Sequence, residues 1–393
     1  MIVEQLSLVD FRNYAAADVT LAAGANVFVG RNGQGKTNLA EAIGFFATLG
    51  SHRVSQDAPM VRDGADAAVV RMRLAYGERR VMLEAQVNRT GSNKARVNGS
   101  PVKTAELPRY AQVVLFAPED LQIVRSDPSA RRRFADQLLI QRAPRMAGVL
   151  SDYDRVLKQR TALLKSARAR GIRGEGLSTL DVWDDKLIQL GTDVIRARLA
   201  LADELAGPVA GAYSAIAGAD HRPELEWALS IGGTDPDDEA EDAETARSSV
   251  RGLSADELQR QFRDSLDARR SAELERGLTL VGPHRDDLVL RVRGLPVKGY
   301  ASHGESWSVA LALRLASAQL LRAQSQLGDP VLILDDVFAE LDTDRRARLA
   351  GLVEGFEQVV VTAAVEEDVP EALRARTVRV VAGTIVDPGD PDD

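Results

Sequence analysis

The chain has 393 residues, 45% of them hydrophobic and 27% charged, which favours a soluble globular protein large enough for two or three domains. It contains no cysteine, which excludes disulfides, cysteine-ligated zinc and thiol catalysis. The formal net charge of -8 does not exclude a nucleic-acid partner, because much of the acid is concentrated at 235–244 (DPDDEAEDAE) and in the tail, 387–393. We expect both acidic segments to be disordered.

Neither a secretory signal nor a membrane segment is expected. The first residues, MIVEQLSLVDFRNY, are interrupted by acids and are not followed by an apolar stretch. The longest weakly polar run, 205–219, contains Pro208 and is too short to span a bilayer. The pattern favours a cytoplasmic protein.

The N-terminal third predicts short strands and one helix. Residues 2–8 alternate apolar and polar side chains, and 25–29 form an apolar run that ends in a glycine-rich turn. A helix is predicted over 38–49. Further strands are predicted at 69–74, 81–87, 95–98 and 112–116.

The middle of the chain is predominantly helical in pattern from about 128 to 277. Strands and helices alternate again after 278. The predicted strands there are 287–292, 331–334, 358–362 and 377–381, and the predicted helices are 303–324 and 342–353. The fold class is therefore α/β, with a mostly helical insertion. We predict one domain from 1–124 and 277–393, and a second from 125–276 that contains an acidic flexible segment at 233–249.

A phosphate-binding loop is the first motif that carries chemistry. Residues 30–37, GRNGQGKT, match G-x-x-x-x-G-K-[ST] at every fixed position, between a predicted strand and a predicted helix. In this pattern glycines turn backbone N–H groups towards the phosphates, Lys36 meets the β- and γ-phosphates, and the Thr37 hydroxyl is a ligand of Mg²⁺. The sequence thus predicts ATP and Mg²⁺ as ligands. The predicted nucleotide-binding residues are Gly30, Asn32, Gly33, Gly35, Lys36, Thr37 and Asn38.

A second motif is the apolar strand 331–334, which runs into Asp335 and Asp336. A buried strand of a parallel sheet delivers such side chains to the edge where ligands bind. Asp335 is predicted to hold Mg²⁺ together with Thr37, and Asp336 to orient or deprotonate the attacking water. The alternative is that the two acids only end a strand or cap the next helix.

Nearly the whole chain separates Lys36 from Asp335, so an ATPase head must be assembled from both chain ends. This arrangement resembles the ABC ATPases that act on chromosomes. In that class a serine and a glycine at a helix start contact the γ-phosphate of ATP held by a second subunit, and Ser302 and Gly304 stand at such a start. Ser302 with Glu305 also fits an ordinary capping box, and both readings stay open.

Two basic clusters are candidates for DNA phosphates, because cations that release counterions bind DNA irrespective of sequence. Either cluster could instead be a solvated helix face. The candidate DNA-binding residues are Arg131, Arg132, Arg133, Arg155, Lys158, Lys165 and Arg168.

Several segments form a recognisable set: FRNY at 11–14, the phosphate loop with LAEAI at 39–43, FAPEDL at 116–121 with RRRF at 131–134, GPHRDDL at 282–288, and LDDV at 334–337 with ELD at 340–342. Taken together, they resemble the RecF family. The resemblance covers both ends of the chain densely, and the helical middle only by size and character.

The resemblance implies an ATP-binding protein that dimerises on ATP, binds double-stranded DNA and single/double-strand junctions, and works with RecR and RecO to load RecA. Two residues depart from the usual patterns. ABC ATPases usually have glutamate where Asp336 stands, so the shorter side chain predicts slow hydrolysis, and the resemblance implies that DNA stimulates it. Glu305 adds negative charge beside the predicted trans phosphate contact.

Other nucleotide-binding classes fit less well. A transporter-type ABC ATPase would carry its signature about a hundred residues after the phosphate loop. A long-armed relative of Rad50 or the SMC proteins would need sustained heptads, and Rad50 would also need cysteines, which this chain lacks. A nucleotide-binding protein that does not hydrolyse is the third alternative, and the chemistry of Asp336 separates it from an ATPase.

Overall fold

The computed structural model describes residues 1–54, 56–171, 178–233, 252–326 and 328–386. The acidic segments at 235–244 and 387–393, for which disorder is predicted, lie outside the described residues.

The strands follow the predicted positions and add several short ones. They are β1 (Ile2–Phe11), β2 (Tyr14–Thr20), β3 (Gly24–Val29), β4 (Ala67–Tyr76), β5 (Arg79–Asn88), β6 (Lys94–Val97), β7 (Ser100–Val102), β8 (Val113–Phe116), β9 (Glu224–Ala228), β10 (Asp287–Val292), β11 (Leu295–Pro296), β12 (Val331–Asp335), β13 (Gln358–Ala363), β14 (Thr377–Val381) and β15 (Thr384–Val386).

The helices account for most of the middle of the chain. They are α1 (Lys36–Thr48), α2 (Leu121–Arg125), α3 (Pro128–Arg142), α4 (Arg145–Ala169), α5 (Ser178–Ala217), α6 (Ala255–Arg276), the short turn α7 (Val297–Tyr300), α8 (His303–Gln324) and α9 (Thr343–Val353).

The chain folds into two compact units. The first comprises Met1–Leu121, Pro208–His221 and Ser302–Asp393, and the second comprises Gln122–Gly207 and Arg222–Ala301. Residues 122–124, 208–221 and 277–301 thus group differently from the predicted division at 124 and 276. The domain limits themselves stay a prediction.

The first unit contains two six-stranded sheets. One is antiparallel, in the order β2-β1-β4-β5-β6-β7. Side chains alternate between its two faces: Leu6 and Leu8 of β1 point into the core, and Ser7 between them points outwards. The other sheet has the order β15-β14-β3-β13-β12-β8, and its strands β14, β3, β13, β12 and β8 are parallel.

Helix α1 packs against strands of both sheets, and nearly all of it is buried. Leu39, Ile43, Phe45 and Phe46 are at most 1% exposed and belong to the same core as the inward side chains of the antiparallel sheet. Because a helix buried on all sides cannot shift easily, the loop at its N-terminus is held rigidly.

The second unit combines α3, α4, α6 and most of α5 with a small antiparallel sheet, β11-β10-β9. The fully buried Arg160 of α4 ties three helices together. Its guanidinium donates to Asp184 Oδ1 of α5 at 2.5 Å and to Glu273 Oε2 of α6 at 2.7 Å. A buried cation paired with two carboxylates fixes the helices in one register.

Candidate nucleotide-binding site

The phosphate loop lies between β3 and α1, at the edge of the second sheet where the parallel strands end. Gly33 and Gly35 have positive φ angles of 82° and 118°. A Cβ on Gly35 would lie 2.7 Å from the Tyr14 hydroxyl oxygen. The loop conformation therefore requires glycine at this position on both conformational and steric grounds.

Lys36 begins α1 and is 3% exposed. Its Nζ donates to the carbonyl oxygen of Gly30 at 2.7 Å and to that of Arg31 at 3.3 Å. The ammonium is thus held over the first residues of the loop. Since an ammonium has three N–H donors, one donor remains after these two bonds.

The turn between β1 and β2 braces the loop. Asn38 Nδ2 donates to Asn13 Oδ1 at 2.7 Å, and Asn13 Nδ2 donates to the carbonyl of Gln34 at 3.0 Å. Arg53 reaches Asn38 Oδ1 at 3.1 Å. Asn32 is exposed at the tip of the loop. Asn38 is thereby held in place, whereas Asn32 faces solvent.

The acidic strand end meets the phosphate loop. The Thr37 hydroxyl donates to Asp335 Oδ1 at 3.1 Å, and the buried Thr362 hydroxyl, in register with Asp335 on β13, donates to the same oxygen at 2.5 Å. The structure therefore brings together Lys36, Thr37 and Asp335 from opposite ends of the chain.

Asp335 is 2% exposed, and its burial raises the pKa of the carboxyl group to about 6. The hydrogen bonds from Thr362 and Thr37 lower that pKa, and the negative charges of Asp336 and Glu119 raise it. When phosphates and water supply most of its ligands, Mg²⁺ takes only a few from the protein, such as one hydroxyl and one carboxylate. In the described ranges no group of three or more His, Cys, Asp or Glu side chains could hold a metal ion. Thr37 and Asp335 therefore fit Mg²⁺ bound with a nucleotide.

Asp336 has a left-handed backbone, with φ 53°, which is unusual for a residue other than glycine. Its N–H donates to the Thr362 hydroxyl at 3.0 Å, which holds this conformation. Burial raises the pKa of Asp336, while the charge of Lys36 lowers it. Among the described residues its Oδ1 is buried and has no hydrogen-bond partner. The site thus contains an acceptor that is poised for a ligand or water.

Two residues near Asp335 were not singled out from the sequence. His52 Nε2 lies 3.8 Å from Asp335 Oδ2, and burial lowers the pKa of this histidine. The charge of Glu119, which follows β8, acts on His52, Asp335 and Asp336. His52 stands alone in the sequence after α1, so no motif identifies it.

Ser302 is the exposed N-cap of α8. Its hydroxyl accepts from Glu305 N–H at 3.2 Å, and its own N–H donates to Glu305 Oε2 at 3.0 Å, so the capping box is present. A Cβ on Gly304 would lie 3.0 Å from an Arg345 guanidinium nitrogen. The contact of Ser302 and Gly304 with ATP of a second subunit stays a prediction.

The basic candidates separate into buried and exposed groups. The prediction that Arg131 contacts DNA is wrong, because this residue is 4% exposed and its guanidinium binds Asp287 at 2.6 Å. Arg132 is half-buried and donates to the Asp286 carbonyl at 2.7 Å. The exposed remainder is Arg133, Arg155, Lys158, Lys165 and Arg168.

Several of the exposed candidates already have protein partners. Arg155 pairs with Asp152, and Lys158 pairs with Asp154 at 2.5 Å. Arg168 donates to the Arg276 carbonyl at 3.2 Å. The contribution of these helices to DNA binding stays a prediction.

A phosphate loop beside an acidic strand end, on a head built from both chain ends, defines a P-loop ATPase head of the ABC type. The family model described as "RecF/RecN/SMC N terminal domain" matches residues 2–386. No helix of the described residues is long and apolar enough to cross a membrane.

Similar proteins cover the full length. The DNA replication and repair protein RecF of Clavibacter sepedonicus is 59% identical over 392 residues, which is 100% of this chain and 96% of the relative. A solved structure of the recombination mediator protein RecF-ATPrS in the RecFOR pathway aligns with TM-score 0.85 at 25% identity, covering 98% of this chain and 97% of the other. The RecF-ATP structure aligns with TM-score 0.82 at 26% identity, covering 98% and 96%. The chain belongs to the RecF family.

Proposed function

We propose that this chain is an ATP-dependent DNA-binding protein of recombinational and replication-gap repair, and that its complete ATP sites form between two copies. The observation that carries the proposal is the 3.1 Å hydrogen bond from the Thr37 hydroxyl to Asp335. It joins two oxygen ligands suited to Mg²⁺ at the start of a helix that follows a phosphate loop. The ATP complexes of related RecF proteins support ATP as the nucleotide.

In the proposed site the phosphates are bound by Gly30, Asn32, Gly33, Gly35, Lys36, Thr37 and Asn38, of which Lys36 supplies a fixed positive charge. Thr37 and Asp335 hold Mg²⁺, which when bound neutralises charge on the phosphates. Binding requires Asp335 to be ionised. With a pKa of about 6, this carboxyl is mostly ionised at neutral pH.

Asp336 is the proposed catalytic residue, which orients the attacking water and accepts its proton. Burial raises the pKa of Asp336, and this makes the carboxylate a better base than an exposed aspartate. An aspartate reaches less far than a glutamate, so hydrolysis is expected to be slow until DNA or a partner improves the geometry. ATP hydrolysis then acts as a switch for dimerisation.

The second half of each site is proposed to come from the other copy. Ser302 is exposed at the N-terminus of α8, where backbone N–H groups and a hydroxyl favour an anion. The hydroxyl already accepts a bond from Glu305 N–H, but it keeps its own proton for a phosphate oxygen. Gly304, where a side chain would crowd the Arg345 guanidinium, is the second proposed contact with that phosphate. A two-fold symmetric dimer would then contain two such sites.

DNA is the proposed second ligand, as double strands and as single/double-strand junctions. RecR and RecO are proposed partners because the related solved structures belong to the RecFOR pathway, and RecA is proposed from the family resemblance alone. In this proposal the ATP-bound dimer marks DNA gaps and assists RecA loading there. A cytoplasmic location is part of the proposal.

The experiment that tests this function follows DNA binding and phosphate release in one sample. Fluorescence anisotropy of a labelled junction should rise with ATP and Mg²⁺ and fall as phosphate is released. Phosphate release should be slow without DNA and faster with it. The proposal would be contradicted if ATP bound but did not change the affinity for the junction, and if DNA did not change the rate of phosphate release.

A further inference from the structure

The antiparallel sheet of the first unit has one face in the core and one face in solvent. Inward side chains such as Met72 and Leu83 are fully buried. The solvent face carries exposed basic residues on β4 and β6, the two strands that flank β5. We use the name basic sheet face for Arg71 and Arg73 of β4 and Lys94 and Arg96 of β6, all of which are exposed.

Only part of this charge is neutralised within the chain. Arg71, Glu84 and Arg96 stand side by side on β4, β5 and β6, and both arginines bind Glu84, at 2.6 and 3.1 Å. The carboxylate holds the two guanidinium groups out along the surface. One negative charge is thus shared between two positive ones.

The other two cations have uncharged neighbours across the strands. Arg73 stands opposite Gln5 on β1 and Met82 on β5. Lys94 stands opposite Gln86 on β5. The basic sheet face therefore carries a local excess of positive charge, although the whole chain has a formal charge of -8.

This surface differs from the basic helix of the second unit. On α4 the cations Arg155 and Lys158 follow Asp152 and Asp154, with which they pair. Such pairs lie on a solvated helix face and contribute little attraction for a polyanion. The sheet places Arg73 and Lys94 on a surface where no carboxylate stands directly opposite them.

Three features favour a nucleic-acid backbone over an acidic protein as the partner. Three of the four cations are arginine, whose planar fork matches phosphate oxygens. Arg71 and Arg73 point to the same side about 6.8 Å apart along the strand, close to the rise of two nucleotides at about 3.4 Å each. Protein interfaces need an apolar centre, and Val9 is the one exposed large hydrophobic residue on this face among the described residues.

We propose that the basic sheet face binds the phosphate backbone of duplex DNA. This proposal rests on the proposed function, which requires DNA as a ligand, and it assigns the contact to this surface. Binding is through phosphates, so it is independent of base sequence and sensitive to salt. Arg73 and Lys94 contribute most, because neither has a carboxylate opposite it.

The test uses the full chain with ATP, Mg²⁺ and a short fluorescein-labelled duplex. The variant Arg73→Glu/Lys94→Glu should lose about tenfold or more in affinity for every duplex sequence. Log affinity falls as log salt concentration rises. In the milder Arg73→Gln/Lys94→Gln this fall should be less steep by about two, one for each lost phosphate contact. The matched control is Lys186→Glu/Arg269→Glu, which makes the same charge change at exposed positions of the second unit.

Light scattering with ATP, phosphate release without DNA and a thermal melt should be unchanged in these variants, which separates loss of the surface from loss of the fold. If wild-type affinity for duplex survived the reversal, or if the control lost as much, the surface assignment would be wrong. Polyglutamate serves as a second ligand that stands for an acidic protein. If the charge reversal abolished binding of polyglutamate but not of duplex, the partner would be an acidic protein and the proposal would be overturned. Failure of the wild-type protein to bind any duplex would count against the proposed function itself.

Discussion

The hydroxyl of Thr37 lies 3.1 Å from Asp335 Oδ1, although the two residues are 298 positions apart in the sequence. Thr37 is the second residue of α1, the helix after the phosphate loop, and Asp335 ends a fully buried strand. A contact between such rigid elements requires the head to be complete before a nucleotide arrives. The site is therefore organised by the fold and needs the nucleotide only as its ligand.

Lys36→Ala is expected to weaken ATP binding by about 10- to 100-fold, since a hydrogen bond to a charged group contributes about 1.5–3 kcal/mol. Isothermal titration calorimetry with ATP and Mg²⁺ measures the loss. Arg31→Ala is the matched control, because Arg31 is an exposed residue of the same loop. Equal affinities for wild type and Lys36→Ala would refute the assignment of the phosphate site.

Asp336→Asn should bind ATP normally but release no phosphate, because an amide keeps the shape of the carboxylate and cannot accept a proton from water. The dimer formed on ATP should also persist longer than that of the wild type. A phosphate-release assay with and without DNA is the measurement, and the exposed Glu371→Gln serves as its control. Turnover at the wild-type rate would remove Asp336 from the role of base.

Ser302→Arg should leave ATP binding by one chain intact and prevent dimerisation, because the bulky side chain fills the proposed contact with the phosphate of the second copy. The chain offers a close control. Ser254 caps α6 in the same kind of capping box, with Glu257 in place of Glu305. Both variants should lose about 1 kcal/mol of stability from the cap.

Light scattering with ATP then separates the two roles of Ser302. Ser254→Arg should dimerise and Ser302→Arg should not. If both variants melt earlier and both dimerise, Ser302 is a cap and nothing more.

Asp286 gives a pH-dependent prediction for the second unit. It is fully buried, and burial raises the pKa of its carboxyl group to about 6. The unfolded chain releases this proton at about pH 4, so the folded state binds more protons between about pH 4 and 6 and loses stability as the pH rises.

Asp286→Asn cannot ionise, while its amide oxygen can still accept the N–H of Ser230 that Asp286 Oδ1 accepts at 2.8 Å. The free energy of unfolding of the variant, minus that of the wild type, should therefore increase by about 3 kcal/mol from pH 4 to pH 7. Urea unfolding across this range measures it. A difference that is flat, or that decreases with pH, would contradict the buried carboxyl's role.

Local patterns predicted much of the fold and most of the candidate site. The motif at 30–37 and the apolar run into Asp335 predicted the two halves of the candidate nucleotide site, and long-range strand pairing between β3, β13 and β12 brings them together. Helix α1 begins at Lys36, two residues before the predicted start, because the loop turns directly into the helix.

Non-local contacts explain what sequence patterns did not predict. Strand β9 lies inside the predicted helical middle, and its pairing with β10 connects segments about sixty residues apart in the chain. Arg131 looks like a surface cation within a run of three arginines, and only its bond to Asp287 reveals that it is buried. His52 belongs to no motif, and only the folding of the chain brings it close to Asp335.

The central claim is that each complete ATP site takes its phosphate loop from one copy and Ser302 from the other. Mixing Lys36→Ala with Ser302→Arg tests it directly, by molar mass from light scattering with ATP and Mg²⁺. Each variant alone should stay monomeric. The mixture should form heterodimers, because the loop of the Ser302→Arg chain and the Ser302 of the Lys36→Ala chain complete one site. A mixture that stays monomeric, or a variant that dimerises alone, would contradict the account.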